Sequence, residues 1–578
     1  MIISTEFVKA CTMEELAREG RKVVQAGGRA VLLLHAQGRV VALDNRCPHM
    51  GFPLHRGTVR DGILTCHWHH AKFDLASGCT FDLFADDATT FPVELRDGGV
   101  WIDARPPAGD RTSHWLQRVE DGLEHQVDLV LAKSAIGLVD SAFTDAVRRA
   151  ALFGLRNRSN GWSQGMTILT CTALVRDELA PEDRPLALFQ GLLHVGRSTA
   201  GEHPDFPLEP LPAAGRGTAA HLGWFRHFVE VREHDAAERA LATAIADGLS
   251  PAEVAELVFA ACTDHLFLTA GHVLDFANKA FELLDLIGWE HAQPVLTSLV
   301  PMLVEARRHE EVAEWRHPVD VAALIQTASR SLLDMPTEGT VVWHGHRELA
   351  ELCLGDDPEA TLDEITALFR RGVPAVELAG AVSLAAVLRA VHFPTSNEIS
   401  DWETVLHAFT YANAVEQALR RAPSPLVARG VLDAAMAVYL ERFLNVPRRA
   451  APRPGTSGVE PNDLLYALDS QGQVDECAQV VVQAAAGGRE DQLVSTLGHA
   501  LLREDATFHQ FQMLEAGVRL WRRHRGTDLG ALVLVGVARY LAAHYPTMRA
   551  AHQTFGIAQR LHRGEALHED LARATGEV

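Results

Sequence analysis

Long apolar runs are missing from this chain. No stretch of eighteen or more uninterrupted apolar residues occurs, so no membrane-spanning helix is expected. The first residues, Met1-Ile2-Ile3-Ser4-Thr5-Glu6, have neither a basic flank nor a cleavage-site pattern, and the reading is a soluble, cytoplasmic protein. Positive charge is also short: 53 Lys and Arg against 75 Asp and Glu give a net charge of -22. That balance disfavours nucleic acid and anionic membrane as partners, because phosphate binding needs the opposite sign. Cysteine is sparse and scattered: Cys11, Cys79, Cys171, Cys262, Cys353 and Cys477 form no framework, and they read as reduced thiols. What is present is an apolar fraction of 47% over 578 residues, too apolar for disorder and too long for one core.

The two other cysteines lie in Cys47-Pro48-His49-Met50-Gly51 and Cys66-His67-Trp68-His69. Each segment offers one thiolate and one imidazole, so two loops brought together supply two Cys and two His. A tetrahedral zinc also takes that set, but zinc fingers normally pair C-x-x-C with H-x-x-x-H, and here each half is mixed. The C-x-H and C-x-x-H segments, the Gly51, Pro53 and Leu54 turn after the first, and Lys72-Phe73-Asp74 with Gly78 after the second resemble the Rieske family. The resemblance implies a [2Fe–2S] cluster with Cys47 and Cys66 on one iron and His49 and His69 on the other, easier to reduce than an all-thiolate cluster. His67 and His70 fall outside the ligand positions. The respiratory branch of that family carries an extra Cys in each loop, joined as a disulfide. Here the corresponding residues are Phe52 and Trp68, so the chain is similar to the ferredoxin and oxygenase branch.

Residues 1–105 read as a small all-β domain carrying these loops. Short β-like runs at 29–35, 39–43, 62–65, 90–95 and 100–103 are separated by Gln37-Gly38, Asp61-Gly62 and Asp97-Gly98-Gly99. Residues 106–115 read as a linker. Beyond them apolar residues recur at three-to-four spacing over 128–155, 165–179, 186–198, 236–247, 251–285 and 294–310, and onward past Thr361, which predicts helices. The fold class is thus α+β multidomain, with an all-β domain followed by a large all-α region. Its expected parts are 116–335, 336–446 and 464–578, with 447–463 a Pro- and Gly-rich loop. Three segments look alike: His272-Val-Leu-Asp-Phe-Ala-Asn278, His407-Ala-Phe-Thr-Tyr-Ala-Asn413 and, more weakly, His509-Gln-Phe-Gln-Met-Leu-Glu515. They predict divergent helical repeats, each burying its face against the next.

The oxygenases of the Rieske family hold a mononuclear iron in a sheet-rich domain, usually through a D-x-x-H-x-x-x-H-like run. No such run follows residue 105, so that catalytic domain is not carried over. The candidates are histidines on apolar helices. His265 and His272 are seven residues apart, two turns of one helix, with Asp275 on the same face. Repetition places His407 and His509 on neighbouring helices, and His194 lies in another apolar run. Imidazoles and a carboxylate projecting between helices suit iron with a position open for oxygen, with Asn278 and Asn413 orienting the rings. The competing reading of each is a hydrogen-bonded core histidine, and Trp343-His344-Gly-His346 is a weaker loop pair. The spacing of His265 and His272 and the run Asp401-Trp-Glu-Thr-Val-Leu-His407 are also somewhat similar to the helical questin-oxidase-like family, which implies oxygen-dependent opening of aromatic polyketide rings. That family's arginine after the first His is replaced by Leu268.

The expectation is an oxidoreductase, a monooxygenase-like enzyme whose [2Fe–2S] cluster takes electrons from a reductase or ferredoxin. The cluster delivers them to a mononuclear or dinuclear non-haem iron site in the helical region, acting with O2 on a small organic molecule. His265, His272 and His407 are the catalytic candidates, with His509 and His194 as further ligands. The alternative is an electron-transfer or redox-sensing protein whose helical repeats bind a protein partner.

Overall fold

The computed structural model describes residues 7–105, 111–213, 215–455, 458–565 and 567. They fall into two compact units, one from 1–142 with 553–578 and one from 143–552. Among the described residues, no helix is long and apolar enough to cross a membrane.

The described residues of the first unit form ten strands: β1 (Val8–Thr12), β2 (Arg21–Ala26), β3 (Arg29–Ala36), β4 (Arg39–Asp44), β5 (Thr58–Arg60), β6 (Ile63–Thr65), β7 (Lys72–Asp74), β8 (Thr90–Phe91), β9 (Val93–Arg96) and β10 (Gly99–Ile102). They form three antiparallel sheets, ordered β1-β10-β9, β2-β3-β4-β8 and β5-β6-β7. Strand β3 explains the unbroken run Val31-Leu32-Leu33-Leu34: Val31 and Leu33 enter one core with Val100 and Ile102, and Leu32 and Leu34 enter another with Leu54, Leu64 and Phe73. A strand covered on both faces has no polar side to alternate with. Each such side chain contributes about 1.5–3 kcal/mol by leaving water. The second core also contains Cys47 and Cys66, so the ligand loops grow out of its packing.

The expected turns are two-residue hairpins. Gln37-Gly38, Asp61-Gly62 and Asp97-Gly98 all have positive φ, as the twist of tight hairpins demands. Gly27-Gly28, also at positive φ, joins β2 to β3. Residues 106–110 of the expected linker lie outside the described residues. Residues 111–115 begin the helix Arg111–Glu124, which is followed by Asp128–Leu138 in the same unit.

The second unit is helical. One expectation fails where it matters: 251–285 is not one helix but Pro251–Thr263 and His272–Ile287, joined by a turn with Phe267, Thr269, Ala270 and Gly271 at positive φ. The intervening amides are taken by distant groups. Leu266 N–H donates to Glu310 Oε2 at 3.0 Å, Phe267 N–H to Asp433 Oδ2 at 2.8 Å and Thr269 N–H to the Arg307 carbonyl at 2.9 Å. Amides held this way cannot close i→i−4 bonds, so the helix stops.

Candidate functional site: two histidine-bearing centres

The first centre lies where the Cys47–Gly51 and Cys66–His69 loops meet. The first loop is a tight reversal in which Gly51, at φ +79, donates its N–H to the Cys47 carbonyl at 2.7 Å. Cys47 and Cys66 are buried, and their sulfurs are within hydrogen-bonding reach of each other. The Cys47 sulfur accepts from the backbone N–H groups of His49 and Met50, and the Cys66 sulfur from those of Trp68 and His69. The hydrogen bond between the two thiols pushes Cys66 down and, together with burial, Cys47 up, so one thiolate is favoured beside one thiol, while the backbone donors lower both. Donors aimed at sulfur in this way favour the thiolate that binds iron.

The His49 and His69 rings lie 4.8 Å apart, edge to face. Burial, then the Lys133 ammonium and His69, pushes His49 down to about 4, so it is neutral at physiological pH. Its Nδ1 is buried and has no hydrogen-bond partner among the described residues, which leaves that nitrogen open to a Lewis acid. The two sulfurs pair with each other and the two imidazoles with each other, whereas a single tetrahedral zinc would draw all four donors to one point. Ligands divided between two irons do not share one point, so the donor set fits the [2Fe–2S] cluster. Across the loops, Phe52 and Trp68 hold their rings 5.9 Å apart where the respiratory branch has its disulfide.

The second centre is in the helical unit. His272 opens the helix His272–Ile287, His407 lies in Ile399–Arg421 and His509 in Phe508–His524. Each offers one ring nitrogen within 4.8 Å of the other two, and among the described residues they are the one such group of three. His407 Nε2 and His509 Nε2 are 3.1 Å apart. Two nitrogens each about 2.1 Å from one ion would subtend about 95° at that spacing, the angle of adjacent ligands in an open octahedral site.

Burial, then the neighbouring imidazoles, pushes His272 down to about 3 and His407 to about 4, which leaves both neutral. His272 Nδ1 is buried without a hydrogen-bond partner among the described residues. Behind His509 stands Glu403, whose carboxylate meets His509 Nδ1, His544 Nε2 at 3.0 Å and the Tyr540 hydroxyl at 3.1 Å. Burial opposes its charge, but the hydrogen bonds from His509 and His544 prevail and hold its carboxyl far below the usual range. With the carboxylate at Nδ1, His509 turns its Nε2 toward the other two rings. The rings of Phe276 and Phe508 each lie 5.4 Å from that of His272 and provide apolar walls.

His265 is not brought to this group. The break at 264–271 removes the two-turn relation to His272, and both ring nitrogens of His265 face carboxylates, Glu310 and Glu230, at 2.5 Å. Burial opposes its charge, but those partners raise its pKa, the reverse of what a metal ligand needs. His194 lies outside the group, its ring 5.8 Å from Phe511. Asp275 is buried against Gln512, and burial pushes its carboxyl up to about 7. The Asn278 amide donates to Glu282 at 3.0 Å rather than orienting a ring. His346 pairs with Glu377 at 2.9 Å. Glu403 was legible only as a carboxylate one turn before His407; nothing local marks it as the partner of His509.

The family model described as the Rieske [2Fe-2S] domain matches residues 6–91. The 3-phenylpropionate/cinnamic acid dioxygenase ferredoxin subunit of Photorhabdus laumondii is 34% identical over 94 residues, which cover 16% of this chain and 89% of that protein. The vanillate O-demethylase oxygenase subunit of a Pseudomonas species is 35% identical over 101 residues, covering 16% of this chain and 28% of that one. Human apoptosis-inducing factor 3 is 31% identical over 99 residues, covering 17% and 16%. The chain therefore spans less than a third of the length of these last two relatives. The ferredoxin of carbazole 1,9a-dioxygenase from Nocardioides aromaticivorans IC177 aligns at 19% identity over 17% of this chain and 98% of that one, with a TM-score of 0.17. With a ferredoxin subunit matched over nearly all of its length, and with the Cys47, His49, Cys66 and His69 loops arranged as described, the chain belongs to the Rieske [2Fe–2S] family through its N-terminal domain.

Proposed function

We propose that the protein is an oxygen-dependent oxidoreductase in which the N-terminal domain passes single electrons to a non-haem iron site at His272, His407 and His509. The observation that carries this reading is the convergence of three imidazoles, with His272 and His407 held neutral by burial and His509 backed by Glu403. When bound, an iron at this triad would supply a Lewis-acidic centre with positions open to O2. The residues do the rest. Glu403 fixes the tautomer and ring angle of His509, and Phe276 and Phe508 exclude water from the face of His272. The ring contacts favour a small, largely apolar organic substrate. Electrons come from a reductase or ferredoxin partner, matched by analogy with the dioxygenase ferredoxin relatives.

Metal analysis tests the proposal. Anaerobically purified protein is expected to contain three irons for two acid-labile sulfides, with His407→Ala reducing this to two while the Rieske spectrum persists. Two irons for two sulfides in the wild type, after iron supplementation, would refute the oxygenase reading and leave the electron-carrier or redox-sensing alternative.

A further inference from the structure

The two peptide groups that donate to the Cys47 sulfur are also the two whose carbonyls accept from one buried ammonium. Lys133, in the helix Asp128–Leu138, has a side chain 9% exposed. Its Nζ donates to the Pro48 carbonyl at 2.6 Å and the His49 carbonyl at 3.1 Å. The Pro48 carbonyl shares its peptide with the His49 N–H, and the His49 carbonyl shares its peptide with the Met50 N–H. Both N–H groups donate to Cys47. The ammonium donates also to Asp86 Oδ2 at 3.0 Å. Asp86 is fixed by Arg118 Nε at 3.0 Å, and the same guanidinium holds the Leu83 and Ala85 carbonyls. Phe84, between them, sets its ring 4.9 Å from that of His49.

An amide whose carbonyl is hydrogen-bonded to a cation is polarised, and its N–H becomes a stronger donor. Stronger N–H···S bonds draw charge from the sulfur, and a nearby cation favours an added electron, more so away from water. We infer that Lys133 raises the reduction potential of the cluster by acting on the Cys47 sulfur through these two peptides, with Asp86 as the counter-charge that limits the effect. Lys133 is thus a positioning and tuning residue, outside the ligand set and 84 residues from His49 in the chain. The inference rests on the cluster assignment itself and not on the helical iron site.

The test is a redox titration of full-length holoprotein under argon, with dithionite supplying the single electron, read by the Rieske EPR signal. Lys133→Met is expected to lower the midpoint by about 59 mV, a tenfold change in the one-electron equilibrium constant. Asp86→Asn, which leaves the ammonium uncompensated, is expected to raise it, and Lys133→Arg to stay nearer the wild type than Lys133→Met. Opposite shifts identify the charge, because a merely loosened loop moves both variants the same way. An unmoved or raised potential in Lys133→Met with a normal EPR signal overturns the inference, as do shifts of one sign in both variants. Should Lys133→Met fail to retain its cluster, Asp86→Asn decides: a positive shift supports the inference, and none overturns it. Wild-type protein without a Rieske signal would instead defeat the cluster assignment.

Discussion

Replacing Glu403 by glutamine keeps the shape of the side chain and removes the charge behind His509. The carboxylate now serves His509 Nδ1, His544 Nε2 at 3.0 Å and the Tyr540 hydroxyl at 3.1 Å, using both oxygens. Glutamine has one accepting oxygen, uncharged, and a donor pair that faces the wrong way for at least one of those partners. His509 then loses its charged anchor and is free to turn its Nε2 away from His407, 3.1 Å distant. Loss of such a carboxylate behind a ligating histidine generally weakens metal binding about 10–100-fold. That is about 1.4–2.8 kcal/mol. Competition among three donors for one oxygen places Glu403→Gln toward the upper end. The assay is anaerobic Fe(II) titration against a chromophoric chelator, with the Rieske EPR signal as internal control. Equal Fe(II) affinity in wild type and variant would refute the reasoning, since it would mean that Glu403 does not orient a ligand.

Four further outcomes are expected. His265→Gln should leave sulfide-free iron unchanged while lowering stability by about 1–3 kcal/mol, because Glu310 loses a charged partner; thermal unfolding and iron analysis separate the two effects. Gly271→Ala should weaken Fe(II) binding at the triad, because the added Cβ would sit 2.9 Å from Tyr411 Cβ at φ +87, next to His272. Cys66→Ser should abolish the Rieske spectrum and spare Fe(II) binding at the triad. Burial pushes Asp433 up to about 7 from an ordinary 3.8, so its contribution to stability is full below that ordinary value and is lost as pH rises through about 7. Asp433→Asn should therefore gain in apparent melting temperature relative to wild type on going from pH 5 to pH 8, and a constant difference would count against the assignment.

Much of the first centre was legible because its chemistry is local. Two loops of three and four residues carry the four candidate ligands, and dipeptides such as Gln37-Gly38 and Asp61-Gly62 specify the hairpins of the sheets around them. Strands β1 and β2 were harder to see, since Arg21-Lys-Val-Val-Gln-Ala26 lacks a clean apolar period and only Gly27-Gly28 marks its end. In the helical unit, the shared His of three similar segments pointed to His272, His407 and His509, which the structure brings together. Helical spacing does not carry through 264–271, which is why the seven-residue interval fails to bring His265 beside His272. The carboxylates that interrupt it, Glu310 and Asp433, lie 44 and 166 residues away from the amides they hold. Lys133 and Glu403 were hidden for the same reason: each acts on a residue far along the chain.

The Phe52 and Trp68 pair has a practical corollary. A brace made of two packed aromatic rings is immune to thiol reductants, so glutathione or dithiothreitol leaves it intact where a cystine link would be cut. Assembly of the iron–sulfide core then needs no preceding oxidation. The cost falls on the apo form, in which nothing covalent ties the two loops together, and loss of iron should expose 47–51 and 66–70 to proteases.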